Sequence, residues 1–141
     1  MPRSGRCLCG AVRYTLEGEL PPLINCHCQF CRRVHGAAFV TVAFVPAAAL
    51  RLSQGADAVR EHATPGVGRR AFCDRCGTRL WARGESMPGY LSLAIASLDE
   101  QPERGPVMHI NVESKARWYE IRDGLPQHAG LPPAARQAIQ Q

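Results

Sequence analysis

Seven cysteines stand in three tight clusters: Cys7 and Cys9, then Cys26, Cys28 and Cys31, then Cys73 and Cys76. The spacings are C-x-C, C-x-C-x-x-C and C-x-x-C. One or two intervening residues let a tight turn place successive sulfurs on the same side, which suits thiolates converging on one soft cation such as zinc. An odd number of cysteines, behind a start (Met1-Pro2-Arg3-Ser4-Gly5-Arg6) with no hydrophobic stretch, argues against a disulfide framework and for a cytoplasmic protein. A redox C-x-x-C is the competing reading, weakened because neither such pair opens a βαβ unit.

The residues behind each cluster divide the seven into four and three. Gly10 follows Cys9 and Gly77 follows Cys76, whereas Cys31 is followed by Arg32 and Arg33. Glycine in that place allows a positive φ and lets backbone N–H groups point at sulfur. Cys7, Cys9, Cys73 and Cys76 are therefore expected to form two matched knuckles around one tetrahedral zinc, closing a loop of more than sixty residues. Its role is structural, because metal binding energy becomes folding energy. Cys26, Cys28 and Cys31 are expected to hold a second zinc with a fourth position open, as at catalytic sites. Three thiolates make that zinc a weak activator of water and a good acceptor of another sulfur. His27, between two of these cysteines, is expected to aim its ring away from the metal, the alternative being that it completes a Cys₃His structural site. Arg32 and Arg33 could hold an anionic substrate, or be a solvated pair.

The chain has 141 residues, enough for one domain burying roughly 70% of its unfolded surface. Hydrophobic residues make up 45% and charged residues 21%, which argues against disorder. The longest apolar run, Ala43 to Leu50, is interrupted by Pro46, so a membrane-spanning helix is not expected. The formal charge is +5, from 16 Arg and one Lys against 12 acids. Seven thiolates with two divalent zincs would lower it by three, to +2, so basicity alone does not point to nucleic acid. No run of Lys or Arg exceeds two, which argues further against nucleic acid.

Thirteen Gly and eleven Pro favour many turns and short strands. Gly5 to Gly18 reads as a strand or hairpin, with Val12, Tyr14 and Leu16 alternating against Arg13, Thr15 and Glu17. Leu23 to Arg33 reads as the loop carrying the three cysteines, and Ala37 to Val45 as a strand ended by Pro46. Ala47 to Leu50 reads as one helical turn; Leu52 and Val59 to Ala63 read as short strands. Arg69 to Cys73 and Thr78 to Arg83 make a hairpin with the second knuckle at its tip. Tyr90 to Leu98, Val107 to Val112 and Arg117 to Ile121 are further strand candidates, and Pro133 to Gln141 a short terminal helix. The expected architecture is all-β: an antiparallel sandwich or folded sheet with metal knuckles at one end.

Three segments resemble the glutathione-dependent formaldehyde-activating enzyme family, which shares its domain with the centromere protein V group. They are Gly5-Arg6-Cys7-Leu8-Cys9-Gly10, Cys26-His27-Cys28-Gln29-Phe30-Cys31-Arg32-Arg33 with Gly36-Ala37-Ala38-Phe39, and Phe72-Cys73-Asp74-Arg75-Cys76-Gly77-Thr78. His109-Ile110, Ser114-Lys115, Trp118 and Asp123-Gly124-Leu125-Pro126 look like its C-terminal pattern. The motifs run from 5 to 128 of a single domain spanning 1–141, with 129–141 as a tail. The resemblance implies an Mss4-like fold of folded antiparallel sheets. It also implies a structural zinc on Cys7, Cys9, Cys73 and Cys76 and a catalytic zinc on Cys26, Cys28 and Cys31. The implied activity is a carbon–sulfur lyase reaction interconverting formaldehyde and glutathione with S-hydroxymethylglutathione.

For such a reaction the glutathione sulfur takes the open position, and His35 or His27 moves the hydroxyl proton. Arg32, Arg33, Arg69, Arg70 or Lys115 clamps the carboxylates of glutathione. Trp81 and Trp118 are expected in the core or packed on the knuckles rather than as ligand platforms. Two other classes remain: a two-zinc binding module for protein or nucleic acid without catalysis, and a thiol redox or metal-handling protein.

Overall fold

A computed structural model describes residues 2–133. The chain forms two compact units, each built from separated segments: Met1–Leu20 with Ala43–Pro102, and Pro21–Val42 with Glu103–Gln141. The expected terminal helix lies, apart from Pro133, outside the described residues.

In the first unit, β1 (Arg3–Arg6) and β2 (Arg13–Leu16) form an antiparallel hairpin, the second of the two forms expected for this segment, and β5 (Leu50–Gln54) pairs with the other edge of β2. The alternation read from the sequence is the cause: Tyr14 and Leu16 are buried while Arg13 is exposed. Gly5 lies opposite Tyr14. A Cβ on Gly5 would stand 2.2 Å from Tyr14 Cζ, so only glycine fits. The Tyr14 hydroxyl is 2.6 Å from Ser97 Oγ, and its ring meets Trp81 edge-on at 6.1 Å. Trp81 is thus a core residue, as expected.

The same unit contains an antiparallel run of β6 (Val59–Thr64), β7 (Gly68–Cys73), β8 (Arg79–Gly84) and β9 (Tyr90–Ala94), with order β9-β8-β7-β6. Val12, Leu16, Val45, Leu80, Leu91 and Leu93 are among its buried apolar residues. The turn after Pro46 is a single 3-10 turn, Ala47–Ala49, and a second one, Ile95–Ser97, ends the apolar run begun at Tyr90.

In the second unit, β3 (Ile24–Cys26) lies between two strands. It pairs antiparallel with Val40–Val42 of β4 (Val40–Pro46) and parallel with β10 (Met108–Ile110). The parallel pair departs from the wholly antiparallel sheets expected. All three residues of β3 are buried, and the Asn25 side chain is satisfied by the Thr41 hydroxyl at 2.6 Å.

Two expectations are corrected here. Leu23 to Arg33 is not a loop: β3 occupies its start, and a helix, α1 (Gln29–His35), takes its end. The helix is capped by the Cys28 thiol, which accepts from Cys31 N–H, and stopped by Gly36 in the left-handed region at φ 61°. Arg117 to Ile121 is not a strand. Its alternation does not mark a buried face, since Trp118 is 75% exposed rather than in the core.

Candidate metal centres

Both knuckles form as the glycines suggest. In the first, Cys7 N–H donates to Val12 O and Gly10 N–H to Cys7 O, with Gly10 at φ 79°. In the second, Cys73 N–H donates to Thr78 O and Gly77 N–H to Cys73 O, with Gly77 at φ 80°. The two are linked directly, Leu8 N–H donating to Thr78 Oγ1 at 2.9 Å. The sulfurs of Cys7, Cys9, Cys73 and Cys76 lie within 4.8 Å of one another. Cys7 to Cys9 is 3.6 Å and Cys9 to Cys73 is 3.9 Å. Tetrahedral zinc with Zn–S near 2.3 Å requires edges of about 3.8 Å, so the set fits.

The thiols of this cluster compete for charge. Thr78 above all, then the N–H of Cys9, pulls Cys76 down to about 5. Burial pushes Cys7 up, yet the N–H of Val12 and the thiols of Cys9 and Cys73 outweigh it and leave Cys7 below the ordinary thiol range. The N–H of Ala11 pulls on Cys9, but desolvation and the other three thiols raise it to about 11. Full ionisation of such a cluster needs a cation at its centre.

The second cluster, Cys26, Cys28 and Cys31, lies wholly in the second unit. Its sulfurs also fall within 4.8 Å of one another, with Cys26 and Cys31 at 3.6 Å. Cys26 ends β3, Cys28 caps α1, and Cys31 occupies the first turn of α1. A strand end followed at once by a helix start is what brings the three sulfurs to one point. Hydrogen bonding to Cys28 raises Cys26, and hydrogen bonding to Cys26 and Cys28, followed by burial, raises Cys31 strongly. Among the described residues no fourth Cys, His, Asp or Glu completes this group. Either cluster could hold a metal ion.

His27 is fully buried and is not a member of the group. Its Nε2 lies 2.8 Å from His109 Nδ1, and His109 Nε2 lies 2.8 Å from Asp123 Oδ2. Burial first, then the charges at His109 and Lys115, push His27 down to about 4. The N–H of Leu125, then His109, holds Asp123 below the usual carboxylate range. An ionised Asp123 only accepts, so in a neutral pair His109 donates through Nε2 and accepts through Nδ1, and His27 donates through Nε2. His27 Nδ1 has no hydrogen-bond partner. Phe39 and Tyr119 flank the chain, with Phe39 at 5.0 Å from the His27 ring.

The remaining expected site residues separate. His35 lies half-buried at the end of α1, Arg33 is exposed on that helix, and Arg32 Nε donates to Ser114 O at 3.1 Å. Lys115 Nζ is committed to the carbonyls of Ala116 and Tyr119. Arg69 and Arg70 lie on β7 in the first unit. Three residues of these surroundings did not stand out in the sequence: His109 and Asp123 figure there only as parts of a pattern, and Asn111, which donates to Cys26 Sγ at 3.3 Å, not at all. Asn111 alone among non-glycine described residues has a positive φ, 57°.

Short strands around two separate thiol clusters, one of four sulfurs and one of three, define a mostly β protein with two candidate metal centres. The chain belongs to the glutathione-dependent formaldehyde-activating enzyme family, whose model matches residues 2–114. A relative from Halomonas elongata, described as a candidate glutathione-dependent formaldehyde-activating enzyme, is 29% identical over 124 residues. That match covers 83% of this chain and 79% of the relative. A solved crystal structure of a Rhodobacter sphaeroides protein superposes with a TM-score of 0.62 at 26% identity, covering 72% of this chain and 92% of that one. Among the described residues, no helix is long and apolar enough to cross a membrane.

Proposed function

We propose that this chain is a zinc-dependent carbon–sulfur lyase acting on the adduct of a thiol, glutathione or a close relative, with a small aldehyde. The contrast between the two clusters carries this reading: one has four sulfurs and closes on itself, the other three sulfurs and no fourth side-chain ligand among the described residues. Cys7, Cys9, Cys73 and Cys76 would hold a structural zinc, and Cys26, Cys28 and Cys31 a catalytic one. The latter zinc, when bound, supplies a soft electrophilic centre suited to holding a fourth sulfur as thiolate.

The protein's own part is to fix the sulfurs and move a proton. Pairing of β3 on both sides immobilises Cys26, and the cap on α1 fixes Cys28 against Cys31. In the direction of cleavage the adduct's C–S bond breaks, its electrons leave on sulfur, and the carbon–oxygen bond becomes a carbonyl as the hydroxyl loses its proton. His27 is buried against His109, which leaves His35 to receive that proton. Arg32, held by Ser114 O, and the exposed Arg33 would receive the carboxylates of a glutathione-like thiol. The interleaving of chain segments between the two units supports one working domain over 1–141.

The test is titration of zinc-loaded protein with glutathione and with S-methylglutathione, followed by a panel of small aldehydes. Binding that needs the thiol, and aldehyde-dependent loss of free thiol, are expected. Equal binding of both forms, or no turnover with any aldehyde, would overturn the assignment.

A further inference from the structure

The Cys26 sulfur is buried, so its charge as a metal thiolate is not met by water. Backbone hydrogen bonding from Cys28 serves it from within the cluster, and Asn111 Nδ2 serves it from outside, at 3.3 Å. Three thiolates around a divalent ion leave a net charge of −1, and a fourth sulfur adds another. An N–H donor on one thiolate withdraws charge from it and keeps the centre receptive.

The backbone is arranged to make this contact. Ile110 pairs with Cys26 at the end of β10, and Asn111 is the next residue. There the chain enters the left-handed region, φ 57° and ψ 35°, before a 3-10 turn, Val112–Ser114. Asparagine at that place ordinarily turns its side chain onto nearby backbone. Here the side chain makes no such cap and reaches the sulfur 85 positions away in sequence. Its main chain is tied separately, Asn111 N–H donating to Gly130 O and Ser114 N–H to Asn111 O. The left-handed conformation, which asparagine adopts more readily than other non-glycine residues, thus leaves the side chain to the sulfur.

We propose that Asn111 is a positioning residue of the three-cysteine centre, whose amide N–H···S bond to Cys26 sets the affinity of that centre for its metal and for an incoming thiolate. The proposal rests on the reading of Cys26, Cys28 and Cys31 as metal ligands, but not on the lyase reaction.

Asn111→Gly tests it most directly, because glycine keeps the left-handed backbone and removes only the amide. Asn111→Asp sets a carboxylate against the thiolate. The probe is Co²⁺ added to metal-free full-length protein, with the sulfur-to-cobalt charge-transfer absorption read during competition with a chelator. Wild type should take up two ions, the first at the four-cysteine centre with equal affinity in all three proteins. Affinity for the second ion should fall about 10–100-fold in Asn111→Gly and further in Asn111→Asp. The second-site charge-transfer band should shift in Asn111→Gly, which a merely structural role would not produce. Two ions in all three proteins, with equal second affinities and unshifted bands, would overturn the role of Asn111 alone. A single ion in wild type would overturn the three-cysteine metal centre, and this proposal with it.

Discussion

Replacing His109 with phenylalanine tests whether the buried chain of two histidines and one carboxylate is a working hydrogen-bond chain or a coincidence of packing. His27 is fully buried, and its ring is held by the 2.8 Å contact from Nε2 to His109 Nδ1. In His109→Phe that nitrogen loses its partner, and Nδ1 already has none. Leaving one more buried polar group unsatisfied costs about 1–3 kcal/mol. The larger phenyl ring adds about 1 kcal/mol of overpacking. The total is about 2–4 kcal/mol, or a fall in Tm of roughly 6–12 °C for a chain of this size. His27→Phe strands His109 Nδ1 in turn and should cost about 1–3 kcal/mol. Removing both rings removes both orphans, so the double variant should cost less than the sum by at least about 2 kcal/mol. The assay is denaturant unfolding of wild type, both single variants and the double variant, with metal content measured in each because His27 stands between two of the expected ligands. Additivity within about 0.5 kcal/mol would refute the reasoning, since two rings that merely touch have no orphan to share.

The two thiol clusters should differ in what they support: Cys73→Ser should lower Tm by many degrees, whereas Cys28→Ser should fold normally and lose one bound metal. Equal Tm losses would contradict separate roles. Gly5→Ala should destabilise by about 1–3 kcal/mol in a chemical melt, because the new methyl meets the Tyr14 ring at 2.2 Å; a neutral result would mean that Tyr14 relocates freely. Burial raises Tyr14 to about 12 despite its bond to Ser97, so the folded state holds a proton that the unfolded state releases near pH 10. That contribution is complete below pH 10 and is lost as pH rises from about 10 to 12, on the order of 2–3 kcal/mol at the upper end. Stability of Tyr14→Phe should decline less across that window, measured against wild type in parallel urea titrations; identical slopes would rule out Tyr14 as the source.

What the sequence made legible, and what it did not, follows from how far apart the cooperating residues stand. Cys9 with Gly10, and Cys76 with Gly77, are local statements: a ligand and the backbone freedom its turn needs sit side by side, and both glycines adopt the positive φ their position suggested. The grouping of four sulfurs and three followed from the same adjacency, and the geometry brings together those two groups. The β1–β2 hairpin was legible for a similar reason, since its alternation is a property of consecutive residues. The helix α1 was not, because its cap is a thiol rather than the usual hydroxyl or carboxylate and none of its residues is fully buried. Gly36, directly before the strand expected from Ala37, is the cap that ends the helix.

The groups around Cys26 and His27 were illegible for a deeper reason. His109 lies 82 positions from His27, and Asn111 lies 85 from Cys26. Only the parallel pairing of β3 with β10, which places His109 beside Asn25 and Ile110 beside Cys26, brings them together. Parallel partners are joined by long connections and leave no turn signal between them. Cysteines within one cluster are close in the chain, but the groups packed around them need only be close in space. The three-cysteine cluster is therefore written in local spacing, and the surroundings of Cys26 and His27 in the register of a single three-residue strand. A shift of β10 by one residue would turn His109 to the opposite face and take its bond to His27 with it. Substitutions that disturb the β3–β10 register, far in sequence from any cysteine, should then impair the three-cysteine centre as surely as loss of a ligand.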